Sequence, residues 1–486
     1  MAVTQPPTTP AVPPADAAAE GTLRRESLPE STTCTDVCSL PIVPVRARGL
    51  TIESADGRRY LDCLSGAGSL TLGHNHPVVL EAIRSVLDSG APLHVMDLAT
   101  PVEDDFTREL LRTLPRPLAE RGRVRFCGPA GTDAVGAALD LVCSATGRTG
   151  LFAFSGAARA TSPGDPDTRA DAPAPRVTRL PYPSVDPCSS GSGGLGAARV
   201  PASWAEDAGV MDLFASPRPG TRAPAGVIVE PVQGEGELVP VPEDWLRSMR
   251  HLTAARGIPL VVDEMQTGVG RTGTFWAVER SGVVPDVMVL SAAIGGSLPL
   301  AVMVYRDDLD PGHPGASAGA FRGNQLALAA GAATLAHVRE HGLAERAATL
   351  GDRMIRQLTV LASQQPCITD VRGRGLMIGV ELDDPDGPVF AEPATNGTGE
   401  GGPSVLAAAV QEECLRRGLI VGIGGRRSGV VRLLPPLTIS DEQVDAVLER
   451  LGDAIDAGVR TARQRAHGRA GRGQAGPAES TESAVR

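Results

Sequence analysis

The chain has 486 residues, 42% of them hydrophobic and 21% charged, which is enough apolar material for more than one domain with a buried core. Its formal net charge of -11 argues against broad nucleic-acid binding, because phosphate recognition needs a basic surface that releases counterions. All 46 strongly basic side chains are arginines, and the chain contains no lysine at all.

Residues 1–22 are rich in Pro and Ala and have neither a basic start nor an apolar stretch, so they read as a disordered tail rather than a secretory signal. Without a targeting signal the expected location is the cytoplasm. Of eight cysteines only Cys34 and Cys38 lie close together, and one such pair without a second reads as reduced thiols, not a metal site. Segment 23–95 is expected to form the N-terminal part of a smaller domain. There RARGLTIESADGRRYLDCLSG, Arg46 to Gly66, alternates short strands with an Asp-Gly turn. His74 and His76 in GHNHP have the spacing of a metal pair but read as a structural loop before a helix, so no metal is expected.

Residues 96–335 read as a large α/β domain. A helix is predicted over Val102–Thr113, and the loop Gly128–Thr132 opens another that runs to about Ala145. Residues 161–202, dense in Pro, Gly, Ser and Asp, predict an irregular loop. Apolar runs at Gly226–Glu230, Pro259–Glu264, Asp286–Leu290 and Leu300–Tyr305 alternate with helical stretches, the signature of a mostly parallel sheet with crossover helices. Val287–Tyr305 carries no charge over 19 residues, near membrane-spanning length, but Gly295, Gly296, Ser297 and Pro299 divide it into two buried strands, so no membrane span is expected. A long helix over Asn324–His341 leads out of this layer.

Residues 336–461 then predict a smaller α+β domain: helix Leu343–Ala362, strand Gly375–Leu382, helix Val405–Arg417, strand Gly429–Leu434 and helix Asp441–Ala457, with a loop over Asp383–Gly402. Residues 462–486 read as a disordered, Arg-rich tail.

The chemistry-bearing motifs lie in the large domain. VVDEMQTGVGRTG, Val261 to Gly273, delivers Asp263 to the carboxyl end of a strand, where a carboxylate can keep a pyridine nitrogen protonated. EPVQGEGE (Glu230 to Glu237) precedes it, GPAGTDAV (Gly128 to Val135) offers a phosphate cradle at a helix N-terminus, and LSAAIGG (Leu290 to Gly296) follows. GVGRTG is no dinucleotide fingerprint, since no GxGxxG follows a strand. In this order the motifs resemble the class III, fold type I aminotransferases that use pyridoxal phosphate (PLP), from about Val45 to Leu451. GAGSLTLGHNHP, FRGNQLALAAGAATL and VVRLLPPLTIS look like the diaminobutyrate–2-oxoglutarate aminotransferase branch.

The resemblance implies an α/β fold type I architecture and a role for each matched residue. Gly131 and Thr132 match the phosphate-binding turn, Asp263 the partner of the pyridine nitrogen, and Gln266 the residue near the cofactor hydroxyl. Glu230 and Arg432 match the carboxylate–guanidinium pair that lets one pocket accept an amine donor and then 2-oxoglutarate. At the position of the Schiff-base lysine stands Ala292, so no catalytic residue is assigned. Ala158 and Arg159 replace a stacking ring and an imidazole, Ala320 replaces a phosphate-reaching threonine, and Gly136 and Gly422 replace positions commonly acidic in this branch.

The expected function is therefore a non-catalytic homologue, homodimeric or paired with an active paralogue, that holds PLP or pyridoxamine phosphate without a covalent bond if at all, with an amino acid or 2-oxo acid as possible ligand. Two alternatives stand beside it: a lysine-independent enzyme using the same untethered cofactors, and a conventional transaminase moving an amino group from a diamino acid to 2-oxoglutarate.

Overall fold

The computed structural model describes residues 40, 42–95, 98–154, 176–183, 214, 223–310, 312, 323–383, 404–425 and 429–473. The expected tail 1–22, most of the loop 161–202, and Ala158, Arg159 and Ala320 lie outside these residues.

The chain begins with three short antiparallel strands, β1 (Pro44–Arg48), β2 (Thr51–Ser54) and β3 (Arg59–Asp62). Helices α1 (Pro77–Ser89), α2 (Pro101–Thr113) and α3 (Arg116–Arg121) follow. Each has proline in its first turn, where a missing N–H costs nothing and the fixed φ suits a helix.

The centre is a seven-stranded sheet of β4 (Gly122–Gly128), β5 (Gly150–Phe154), β6 (Arg176–Leu180), β7 (Gly226–Val229), β8 (Leu260–Asp263), β9 (Val287–Ser291) and β10 (Ala301–Arg306), in the order β4-β10-β9-β8-β7-β5-β6. Helices α4 (Gly131–Thr146) and α5 (Glu243–Ala255) cover it. Successive strand residues face opposite sides, so both faces must be apolar. Ile228, Val261, Val287, Val289, Ala301 and Met303 pack with Ala134, Val135, Ala138 and Val142 of α4. Val227, Val229, Leu260, Val262, Met288, Leu290, Val302 and Val304 pack on the other side with Phe106, Trp245 and Met249.

Two expectations need correction here. Strand β10 runs antiparallel to both its neighbours, whereas the sequence pattern placed it in a parallel array. The connection Ala292–Leu300 is too short for a crossover helix, and a hairpin-like return is what such a length permits. Strand β6 also falls inside the stretch read as irregular, pairing parallel with β5 from Arg176 to Leu180.

After α6 (Gln325–Glu340) and α7 (Leu343–Gln364), strands β11 (Ile368–Arg374) and β12 (Met377–Leu382), helix α8 (Val405–Arg416) and strands β13 (Leu419–Ile420), β14 (Gly422–Gly424) and β15 (Val430–Leu433) complete two further sheets. One is antiparallel, β11-β12-β15-β14; in the other β13 joins β3 in parallel, tying the C-terminal part to the N-terminal strands. The last helix, α9, covers Asp441–Gly473 and overruns its expected end at Ala457. The overrun's five arginines and three alanines are good helix formers and carry the helix on despite four glycines. Among the described residues no helix is long and apolar enough to cross a membrane.

Candidate active site

Strand polarity decides where the site forms, because open parallel sheets bind ligands beyond the carboxyl ends of their strands. Asp263 ends β8 and Ser291 ends β9, and the residues after each converge with the N-terminus of α4. Gly131 opens that helix against Met265 and Ser291. A Cβ at 131 would press on the Met265 sulfur, so a larger residue there would force that side chain to shift. The Ala130 N–H is held by the Asp133 carboxylate at 3.0 Å, and Thr132 is exposed beside it. The helix end thus presents backbone N–H groups and its positive dipole to the space above the strands.

Asp263 is 4% exposed and its Oδ1 accepts the Met265 N–H at 3.0 Å, which fixes the carboxylate at the strand end. Its neighbour Glu264 points into the protein instead. It accepts the Val278 N–H at 2.8 Å and the Thr267 hydroxyl, and burial pushes its carboxyl up to about 7. Glu264 is thereby a clamp between the 265–275 loop and the short 3-10 helix Ala277–Ser281, with no place in the pocket.

Sequence reasoning paired Arg432 with Glu230, and the geometry differs. Arg432, 4% exposed on β15, donates through Nη1 to Glu235 at 3.3 Å and through Nη2 to Gln266 Oε1 at 3.4 Å. Gln266 Nε2 in turn donates to Glu235 Oε1 at 2.8 Å, closing a triangle of Arg432, Glu235 and Gln266. The Arg432 Nε is buried with no partner.

Glu230 turns away, its Oε2 accepting the Gly234 N–H at 2.6 Å, while its carbonyl accepts the Tyr182 hydroxyl at 2.6 Å. Burial, and next the Asp263 carboxylate, push Glu230 up to about 8, with Arg432 close enough to oppose the shift. That shift favours the protonated form of Glu230 and makes it a poorer counter-ion. The missed residue is Glu235. EPVQGEGE holds three glutamates, and only the turn at Gly234, where a Cβ would strike Gln266, shows which of them meets the arginine.

Ala292 follows Ser291 at the end of β9, half-buried, with φ +51, a left-handed conformation that disfavours any residue with a Cβ. Gly422 on β14 pairs with Arg432 and so borders this region, while Gly136 lies in the second turn of α4. His74 lies apart, its Nε2 2.8 Å from Asp62 Oδ2. Among the described residues no three His, Cys, Asp or Glu side chains gather as a metal site.

The retained set fits a phosphorylated pyridine: a tight turn at a helix N-terminus, a fixed carboxylate at the strand end, and a buried guanidinium with an unpaired nitrogen. It does not fit a lysine-tethered one, since position 292 offers a methyl group and the chain has no side-chain primary amine.

Comparison with known proteins supports the same lineage. The family model for aminotransferase class-III matches residues 34–455. The diaminobutyrate–2-oxoglutarate aminotransferase of Rhizobium meliloti is 47% identical over 424 residues, 86% of this chain and 88% of that protein. The protein of the same name from Haemophilus influenzae is 37% identical, covering 89% and 94%. Among solved structures, ornithine delta-aminotransferase of Plasmodium falciparum superposes with a TM-score of 0.71 at 22% identity, covering 91% of this chain and 99% of that one. Acetylornithine aminotransferase from Elizabethkingia anophelis gives 0.69 at 21%, covering 90% and 99%. These last two likenesses carry the fold.

Proposed function

We propose that this chain, which belongs to the class-III aminotransferase family, keeps the pocket of its diaminobutyrate–2-oxoglutarate aminotransferase-like branch as a non-catalytic or partner subunit. The observation that carries the reading is Ala292. A lysine there would tether the cofactor and move a proton on the substrate carbon, and positioned proton transfer alone contributes about 10² to 10⁴ in rate.

PLP or pyridoxamine phosphate, when bound, supplies an electron sink for the amine carbon. Gly131 and Thr132 would hold its phosphate, and Asp263 would keep a proton on the ring nitrogen. Gln266 orients Glu235, and Glu235 neutralises Arg432 until a ligand carboxylate displaces it. The chain is proposed to act as a homodimer, or as a heterodimer with a lysine-bearing paralogue.

The relatives favour a second reading more directly: a working transaminase moving an amino group from a diamino acid to 2-oxoglutarate, as the name of the 47% identical protein implies. With Ala292 in place, that enzyme would have to use an untethered cofactor and another base.

Titration of purified protein with PLP and pyridoxamine phosphate, followed by borohydride and mass spectrometry, tests the pair. Release of all cofactor on gel filtration after borohydride, with no amino transfer from diaminobutyrate, supports the non-catalytic subunit. Amino transfer by the purified chain would overturn it in favour of the enzyme.

A further inference from the structure

Away from this pocket, three histidines from two distant parts of the sequence meet ring to ring. His76, the residue that caps α1, lies 4.8 Å from His337 between ring centroids, and His337 lies 3.9 Å from His341 one helical turn on. His76 and His337 are half-buried and His341 is exposed. His341 Nδ1 lies 3.0 Å from the His337 carbonyl at the end of α6, and the buried His76 Nδ1 has no partner.

We propose that His76, His337 and His341 form a proton-sensitive joint between the N-terminus of α1 and the C-terminus of α6, closed when the rings are neutral and opened by mild acid. Two imidazolium rings in contact repel each other, and a cation half-buried without a carboxylate loses hydration, so the packed joint resists protonation more than the open one.

The charged groups around the joint do not cancel this. Glu340 adjoins His337 and favours its charged form, but that carboxylate already receives Arg339 at 3.0 Å. Arg339 also reaches Glu109 on α2, and Asp62 is occupied by His74. The helix end favours a cation on His341, the exposed member, and this leaves the inner two rings to carry the switch. Burial, then the neighbouring rings, hold His76 and His337 below the ordinary 6.5.

A histidine depressed in the closed form costs nothing above 6.5 and penalises closure as pH falls below it, because the open form takes the proton first. Each tenfold loss of proton affinity on closing shifts the equilibrium up to about tenfold. The joint also bears on the pocket. The loop leading into His76 donates from the Thr71 hydroxyl to the Ala293 carbonyl at 3.5 Å, and the Thr71 carbonyl accepts the Leu437 N–H at 2.9 Å.

Hydrogen exchange on the full chain, read by mass spectrometry at about pH 7.5 and about pH 5.5 and corrected for intrinsic amide rates, tests this. Exchange in Pro77–Ser89 should rise about tenfold in acid while Val405–Arg416 stays unchanged. The His337→Phe/His341→Gln double variant keeps a ring against His76 and should cut the response well below that of the wild type, to what burial of His76 alone supplies. The single His341→Gln variant, altered only at an exposed position, should reduce it. No acid response in the wild type, an equal response in the double variant, or a rise spread evenly over the chain would each overturn the proposal.

Discussion

Replacing Glu235 by alanine separates stability from ligand binding at one residue. The substitution takes away a carboxylate bonded to a 4%-exposed guanidinium, leaving Arg432 with Gln266 as its remaining side-chain partner. Stripping a buried charge of its partner costs about 3 to 5 kcal/mol when both are fully enclosed. Here the Glu235 side chain is 30% exposed and the contact is a long 3.3 Å, so solvent screening lowers the expected loss to about 1 to 2 kcal/mol. The same change frees Arg432 for a ligand carboxylate. Urea unfolding with and without 2-oxoglutarate reads both effects. A ligand at a hundredfold excess over its Kd restores about 2.7 kcal/mol, more than the substitution removes, so Glu235→Ala should be less stable than wild type alone and should gain more from the dicarboxylate. An unchanged stability together with an unchanged response to 2-oxoglutarate would refute the assignment of Glu235 as the residue that covers Arg432.

The Ala292→Lys variant should fail to transaminate diaminobutyrate, because Ala158 and Ala320 also depart from the family's pattern; a measured rate would show the lysine to be the single missing part. Glu264→Gln should flatten the pH dependence of stability. With its carboxyl raised to about 7, the folded state holds a proton the unfolded state releases, so stability falls as pH rises from 4.5 towards 7, on the order of 3 kcal/mol for this group. Urea midpoints at several pH values measure it, and an equal slope in the variant would refute the role. Trp276→Phe should cost about 1 to 2 kcal/mol, since the fully buried indole donates to the Thr113 carbonyl at 2.9 Å, and a thermal melt at unchanged secondary structure checks the loss.

The sequence made local periodicity readable and left closure between distant segments hidden. Helices with strong caps emerged within a residue or two: Thr100 accepts the Glu103 N–H and Ser404 the Ala407 N–H, both visible as hydroxyl residues before apolar runs. The direction of β10 was not legible, because a buried antiparallel strand and a buried parallel one show the same unbroken apolar run, and only the length of the preceding loop separates them. The Arg432 partner was hidden for a related reason. Glu230, Glu235 and Glu237 share one turn, and the choice among them depends on how Gly234 lets Gln266 in. The histidine joint unites positions more than two hundred and fifty residues apart, beyond any local pattern.

Identity to relatives and capacity for their chemistry draw on different residues. The 47% shared with the Rhizobium meliloti protein spans 86% of this chain, and most positions of a fold this size serve packing; in this chain those include the two apolar faces of the central sheet, Gly296, where a Cβ would strike the Ala330 carbonyl, and the buried Arg271 that bonds the Leu376 and Pro435 carbonyls. A folded, ligand-holding subunit needs all of these. Catalysis adds demands at a few positions, first an amine at the end of β9, where the chain has a methyl group in a left-handed conformation. An intact apolar core around Ala292 is what the proposed retention for binding or assembly requires. A scaffold decaying from disuse would instead accumulate its losses in the core, where every one of Val227, Val262, Met288 and Val302 remains fully buried and apolar.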